Sequence, residues 1–192
     1  MINYPEYAEV NGKRYKINTD FRNAIECDEI ARNDTIDDEE RALAIIFVLY
    51  GEEGLKATDD YLELLEIAKK FLSCNEDIKP SKDKPDMDYI QDMPYIEASF
   101  YSDYKINLEN ETMHWWKFYY LLNALSNSEL GNCCIFNQIR NIRNMDASKI
   151  EDRKERDKLN ELKERYALKR NKKKPTKEQQ ESASKFFDAL GL

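Results

Sequence analysis

The chain has 192 residues, of which 41% are hydrophobic and 35% charged, and it carries a net charge of −8 at pH 7. A mean hydropathy of −0.82, with no apolar run near the length of a membrane span, predicts a protein without a transmembrane helix. The first residues lack the basic and apolar stretches of a signal peptide, so we expect a cytoplasmic protein. Twelve tyrosines and eight phenylalanines beside only five glycines indicate a folded, mostly helical chain.

The charge is divided unevenly along the sequence. Residues 1–148 carry 16 Lys and Arg against 29 Asp and Glu, whereas residues 149–178 carry 13 against 7. An acidic body repels phosphate backbones, so we do not expect a nucleic acid partner. The basic run from Lys169 to Lys174 could contact nucleic acid, but such a run is more often a solvated connection between helices.

The N-terminal part predicts a β-hairpin followed by three helices. Asn11-Gly12 supplies the positive φ angles of a type I′ turn between strands at residues 7–10 and 13–17. Helix starts are predicted at residues 19–20, at Asp37, and near Thr58, and Asp37 with Glu40 has the spacing of a capping box. The second helix is apolar all round, which predicts a central buried helix, and the third has the stripe of an amphipathic surface helix.

The region of residues 76–94 contains three prolines among acidic residues, which predicts a linker. We therefore expect an N-terminal hairpin with three helices in residues 1–75, this linker, and an aromatic-rich helical core in residues 95–148. Residues 149–192 complete the predicted organisation with a basic long helix and a terminal amphipathic helix. The expected fold class is mainly α, with an N-terminal β-hairpin and then a multi-helix bundle that ends in a long charged helix.

The densest apolar segment of the chain runs from Met113 to Leu125 and predicts the core helix of the second half. A shorter helix through Ile135 and Ile142 follows it, and the Ser148 and Glu151 spacing predicts the start of a long helix that reaches about Asn171. Aromatic side chains at helical spacing belong to a core more often than to a ligand platform. The predicted core residues of this segment are Trp115, Trp116, Phe118, Tyr119 and Leu122.

The last segment, after Pro175, predicts a short amphipathic helix behind a charged tether. Its apolar face includes Phe186, Phe187 and Leu190, which we identify as candidate partner-binding residues. The same three side chains could instead complete the protein's own core, and the sequence leaves both interpretations open.

No motif of enzymatic chemistry is evident in the sequence. The four cysteines have no CxxC spacing, so we expect reduced, buried thiols and no zinc site. The single histidine, His114, is predicted to start a helix. The carboxylates of Asp59, Asp60 and Glu63 could hold magnesium as in a nuclease, but 38 acidic residues produce such clusters by chance. We therefore expect no metal, no cofactor and no enzymatic activity.

Three segments together resemble the bacteriophage gp-fifteen family. They are Tyr95-Ile-Glu-Ala-Ser-Phe-Tyr-Ser-Asp-Tyr104, the paired tryptophans of Met113-His-Trp-Trp-Lys-Phe118, and Ile139-Arg-Asn-Ile-Arg143. The resemblance covers about residues 95–145 and extends more loosely into the acidic N-terminal half. The resemblance assigns no catalytic residue to this chain.

This resemblance implies a small protein of tailed phages and prophages with long tails, encoded between the major tail protein and the tape-measure protein. Tail-assembly chaperones are encoded at that position, so the implied partner is the tape-measure or another tail protein, with self-association as a further expectation. The implied location is the host cell cytoplasm or the virion. The alternative is a structural subunit or connector of the virion tail that adds strands to neighbours through the hairpin edge near Val10 and Tyr15.

Overall fold

A computed structural model describes residues 4–57, 59–77, 84–127 and 133–169 of the chain. The described part is mainly α-helical with one two-stranded antiparallel sheet, as the sequence predicts. The elements are β1 (Tyr7–Val10), β2 (Lys13–Lys16), α1 (Phe21–Arg32), α2 (Asp38–Leu55), α3 (Tyr61–Leu72), α4 (Tyr89–Tyr104), α5 (Trp115–Asn123), α6 (Ile135–Asn144), a 3₁₀ turn (Ala147–Lys149) and α7 (Arg153–Arg165).

These elements form two compact units. Within the described residues, the hairpin unit comprises residues 5–18, 26–57 and 59–71, and the aromatic unit comprises residue 4 with residues 19–25, 72–77, 84–127 and 133–169. Each unit therefore combines segments that are distant in sequence.

The hairpin forms with the predicted turn. Asn11 and Gly12 have φ angles of 50° and 77°, and Val10 pairs with Lys13 across the turn. The side chains of Ala8, Val10, Tyr15 and Ile17 are buried on one face of the ribbon. The hairpin is thus held in its unit by an apolar face, which a two-stranded ribbon needs for stability.

Helix α2 begins with the predicted capping box, because Asp37 accepts a hydrogen bond from the Glu40 amide and the Glu40 side chain accepts one from the Asp37 amide. The helix is not buried all round, however, since Phe47 is 37% exposed. The solvent-exposed face of α2 is also apolar, so the hydrophobic periodicity of the sequence does not distinguish this face from the buried one.

Two glycines near the end of α2 have different structural roles. Gly51 adopts a φ of 65° and interrupts the helix. Near this break, the backbone and side-chain amides of Asn18 donate to the carbonyls of Leu49 and Val48. Gly54 lies against the preceding turn, where an added Cβ would approach the Tyr50 Cβ to 2.6 Å. The helical segment after the break at Gly51 ends at Leu55.

The aromatic unit is organised around Phe118 of α5. Its ring stacks on Phe21 at 4.5 Å and on Phe100 at 5.2 Å between ring centroids. The indole nitrogen of Trp115 donates to the carbonyl oxygen of Leu72 at 3.0 Å, and the Tyr104 hydroxyl donates to that of Leu121 at 2.8 Å. Stacked rings form the centre of this unit, and the polar atoms at its margin are satisfied by the backbone.

Helix α4 begins at Tyr89, within the region expected to be a linker. Asp88 caps it by accepting from the amides of Ile90 and Gln91, and Pro94 lies inside the helix. Proline in a helix removes one hydrogen bond, but the long helix retains its remaining bonds and its tertiary contacts. Residues 89–94, which the proline pattern assigned to the linker, are therefore helical.

The predicted start of the C-terminal helix at Ser148 was also wrong. Ser148 lies in the 3₁₀ turn, and Asp152 caps α7 by accepting from the Glu155 amide. Helix α7 ends at Arg165 rather than near Asn171. The predicted terminal helix, with Phe186, Phe187 and Leu190, lies outside the described residues.

Candidate functional site

Asp60 lies at the centre of a polar cluster in the hairpin unit. It is only 2% exposed, although it precedes a surface helix. The Tyr15 hydroxyl donates to Oδ2 at 2.6 Å, the Asn11 amide donates to Oδ1 at 3.0 Å, and the Lys13 ammonium lies 3.3 Å from Oδ2. One buried carboxylate therefore binds the turn and the second strand, β2, of the hairpin.

The electrostatics of this cluster follow from its hydrogen bonds. The bonds from Tyr15 and Asn11 stabilise the charged carboxylate and lower the pKa of Asp60 below its ordinary value. The same carboxylate, together with burial, raises the pKa of the Tyr15 hydroxyl to about 12. Asp60 remains ionised and Tyr15 protonated at neutral pH, so neither group is suited to exchange protons with a substrate there.

A second cluster in the aromatic unit contains a buried ion pair. Asp92 of α4 is fully buried, and its two carboxylate oxygens each lie 2.7 Å from a terminal nitrogen of Arg143 in α6. The remaining donors of Arg143 reach the carbonyls of Tyr166 at 2.6 Å and Asp86 at 2.8 Å. The guanidinium thus joins α4, α6 and the end of α7.

A neighbouring pair is more open to solvent. Arg140 forms two hydrogen bonds to the Asp86 carboxylate, and the Asn144 amide donates to the same carboxylate at 3.0 Å. The side chains of Arg140 and Asp86 retain 32% and 23% of their exposure. The Ile139-Arg-Asn-Ile-Arg143 motif therefore supplies two structural arginines, a role that the sequence does not predict. The signal was two arginines three residues apart on a helix with an apolar face.

The start of α5 is a third constellation. Its N-cap is His114, whose Nδ1 accepts from the Trp116 amide at 3.0 Å, as expected of a helix-start residue. The ring of Tyr4 stacks on that imidazole at 4.9 Å between centroids and lies edge-on to Trp116 at 6.3 Å. The histidine ring is therefore part of an aromatic stack and of a helix cap.

The predicted core residues of the aromatic segment differ in burial. Phe118, Trp115 and Leu122 are buried, with at most 4% exposure, whereas Trp116 and Tyr119 are half-buried. The Tyr119 hydroxyl donates to the Glu76 carboxylate at 3.0 Å. The inner side of α5 is thus fully packed, and its edges carry aromatic side chains with polar partners.

The carboxylates proposed for a nuclease do not form a metal site. Asp60 is occupied by its hairpin partners, and Asp59 and Glu63 are exposed. In the part of the chain that the structure describes, no group of three or more His, Cys, Asp or Glu side chains converges as metal ligands do. The cysteines are free thiols, and burial raises the pKa of Cys27 and Cys74 to about 12, far from the range of a reactive thiolate.

A comparison with protein families then identifies the chain. The model described as Bacteriophage Gp15 protein matches residues 3–168. The chain belongs to the Bacteriophage Gp15 protein family. The resemblance in residues 95–145 is confirmed, and the match extends over both units of the Gp15 chain. Family membership indicates a phage structural or assembly protein.

Two further comparisons add no relative. No curated protein and no solved structure matches the Gp15 chain. Among the described residues, none of the helices is both long and apolar enough to cross a membrane.

Proposed function

We propose that this Gp15-family protein acts in phage tail assembly as a chaperone without enzymatic activity, and that it binds the tape-measure protein. The observation that carries this proposal is the family match over residues 3–168, because the resemblance implies a gene beside that of the tape-measure protein. The expected location is the host cell cytoplasm during assembly.

The chemistry of the described residues supports a binding role over an enzymatic one. The buried polar groups are committed to structural bonds: Asp60 binds the hairpin, and Asp92 binds Arg143. The only imidazole in the sequence caps a helix. Ionisable groups held in this way stabilise a scaffold and do not supply a general acid or base near neutral pH.

The surface properties favour a helical, apolar partner. A net charge of −8 keeps the chain soluble while it holds a partner that would otherwise aggregate. The sequence of residues 176–191 has the spacing of an amphipathic helix, and its Phe186, Phe187 and Leu190 are the candidate contacts. A tape-measure protein, which must be long and helical, would present a complementary apolar stripe.

Co-expression with the tape-measure protein encoded next to this gene tests the proposal. We expect a soluble stoichiometric complex in pull-down and size exclusion, and we expect the protein to be absent from purified mature particles. Failure to form a complex, combined with presence of the protein in mature tails, would contradict the chaperone role and support the structural-subunit alternative.

A variant pair tests the contribution of the C-terminal residues to this binding. Phe186→Ser with Phe187→Ser should weaken partner retention, because it removes the largest apolar side chains of the candidate face. Lys185→Ala changes a neighbouring polar residue and serves as the matched control. Equal retention by both variants and by a chain shortened to residues 1–174 would assign partner binding to another surface.

A further inference from the structure

The turn of the hairpin contains a chemically labile pair of residues, Asn11 and Gly12. Asn11 is the only asparagine of the chain that a glycine follows. Both residues are exposed, and apart from the chain neighbours of Gly12 no atom lies within 4 Å of the position that a Cβ on this glycine would occupy. The turn is therefore open to water, and the backbone nitrogen of Gly12 is not shielded by a side chain of its own residue.

Deamidation of such a pair proceeds through a cyclic imide. Hydroxide removes the proton of the Gly12 amide, and the nitrogen forms a bond to the side-chain carbonyl carbon of Asn11. The bond from that carbon to the side-chain nitrogen breaks, and the nitrogen takes up a proton and leaves as ammonia. Water then opens the imide at either carbonyl and gives aspartate or isoaspartate. Each product adds one negative charge at position 11.

In the folded protein, the side chain of Asn11 is held by a distant residue. Its amide nitrogen donates to Oδ1 of Asp60 at 3.0 Å, and Asp60 is only 2% exposed. Ring closure needs a close and aligned approach of the Gly12 nitrogen to the Asn11 side chain. Because the hydrogen bond to Asp60 restricts rotation of that side chain, we expect the ring to close chiefly when the hairpin opens locally.

We propose that Asn11 is a site of spontaneous deamidation, that its contact with Asp60 protects it in the folded protein, and that the carboxylate formed at position 11 opposes Asp60. An aspartate has no N–H to donate, and two neighbouring carboxylates repel each other. Burial of Asp60 weakens the solvent screening of this repulsion. The Lys13 ammonium, 3.3 Å from Oδ2 of Asp60, neutralises one carboxylate but not two. Deamidation therefore loosens the hairpin from its buried anchor.

Ageing of the full chain at mildly alkaline pH, followed by peptide mapping with tandem mass spectrometry, tests the site. We expect the mass increase of an amide-to-acid exchange to appear at Asn11 before any other asparagine. The other asparagines are internal controls, because none of them precedes a glycine. Denaturing urea should accelerate the conversion of Asn11 about tenfold or more, because unfolding removes the contact with Asp60.

The variant Asn11→Asp introduces the aspartate product directly and tests its effect. It should lower the melting temperature by about 3 °C or more. In the Asp60→Asn background the same change should cost much less, because the new amide at position 60 donates to the carboxylate at position 11. Asn160→Asp adds the same charge to an exposed position of α7 and should melt like the wild type. If Asp60→Asn does not fold, Lys13→Gln replaces it, and this background should enlarge the loss.

Three results would overturn the proposal. Conversion of Asn11 that is no faster than that of the other asparagines excludes the site. Equal conversion of Asn11 in buffer and in urea excludes protection by Asp60. A loss from Asn11→Asp that does not depend on the residue at position 60, or on Lys13 in the replacement experiment, excludes repulsion between the two carboxylates.

Discussion

The Asp92 carboxylate accepts a hydrogen bond from each terminal nitrogen of Arg143, both at 2.7 Å. This buried bidentate ion pair joins the first turn of α4 to the last turn of α6. The Asp88 amide also donates to Asp92 at 3.0 Å. A carboxylate buried in this way is stable only while its partner is present, since desolvation of an unpaired charge is costly. Arg143, which belongs to the Ile139–Arg143 motif, therefore has a structural role.

Arg143→Met should lower the free energy of unfolding by about 3–5 kcal/mol, because it leaves Asp92 buried and uncompensated. Arg140→Met is the matched control: its pair with Asp86 is partly exposed, and such pairs contribute at most about 1 kcal/mol. Urea denaturation of the two variants and the wild type measures both effects. Equal losses would show that burial of the pair does not govern its contribution.

The lowered pKa of Asp60 predicts acid sensitivity of the hairpin unit. The folded protein holds this carboxylate ionised, whereas the unfolded chain protonates it nearer the ordinary value of 3.8. Its contribution to stability is therefore present above about pH 4 and is lost as the pH falls through the folded pKa. Tyr15→Phe removes the main cause of the shift, so the stability difference between the wild type and this variant should shrink on acidification.

Urea denaturation of both proteins between about pH 2.5 and about pH 7 measures this difference. Asp103 and Asp146 also have lowered pKa values, but these two groups contribute equally to both proteins. The difference in stability between the two proteins therefore reports on Asp60. A difference that stays constant over this range would exclude the assigned hydrogen bond.

The raised pKa of Tyr15 predicts a complementary loss in alkali. Deprotonation is easier in the unfolded chain, near the ordinary value of 10, than in the folded protein, near 12. The hydrogen bond therefore stabilises the fold fully below about pH 10, and its contribution declines as the pH rises towards 12. Absorbance of tyrosinate at alkaline pH should show one late-titrating group missing from Tyr15→Phe. Identical titrations would contradict the assignment.

Phe118→Ala should destabilise the aromatic unit by about 3–5 kcal/mol, because it removes the ring stacked between Phe21 and Phe100 and leaves a cavity. Tyr120→Ala, on the same helix but 43% exposed, should cost about 1 kcal/mol or less. Thermal or urea unfolding distinguishes the two. Similar losses would mean that Phe118 is not the centre of the packing.

His114→Ala should cost about 1 kcal/mol, the usual value of an N-cap side chain, since it leaves the Trp116 amide without its acceptor. His114→Asn keeps an acceptor at the cap and should recover most of that loss, although it cannot restore the stack with Tyr4. Urea unfolding of both variants separates capping from stacking. Equal losses in the two variants would assign the role to the stack.

The sequence correctly predicted the turn and the helix caps whose defining residues are close together in the chain. The Asn11-Gly12 turn, the Asp37 and Glu40 capping box and the His114 cap all depend on residues within four positions of one another. Backbone conformation and capping are decided at that range. The element boundaries at Tyr89 and Arg153 were missed, because Pro94 and Ser148 gave local signals that the surrounding structure overrides.

The bonds that join distant segments carried no local signal. Ser99 of α4 illustrates this: its hydroxyl oxygen accepts from the Phe136 amide at 3.1 Å, at the start of a helix whose own N-cap, Cys134, makes no side-chain cap bond. These two residues are 37 positions apart. A serine inside a predicted helix gives no indication of which helix end it will meet.

By itself, the sequence determined the helical class, the hairpin and the apolar faces, because these follow from periodicity and from the conformational preferences of adjacent residues. Its motifs also pointed to the Gp15 family, which the match over residues 3–168 confirms. Only the tertiary structure decided which polar residues are buried. Tyr15 meets Asp60 across 45 residues and Arg143 meets Asp92 across 51, and desolvation makes such pairs essential only once folding has brought them together.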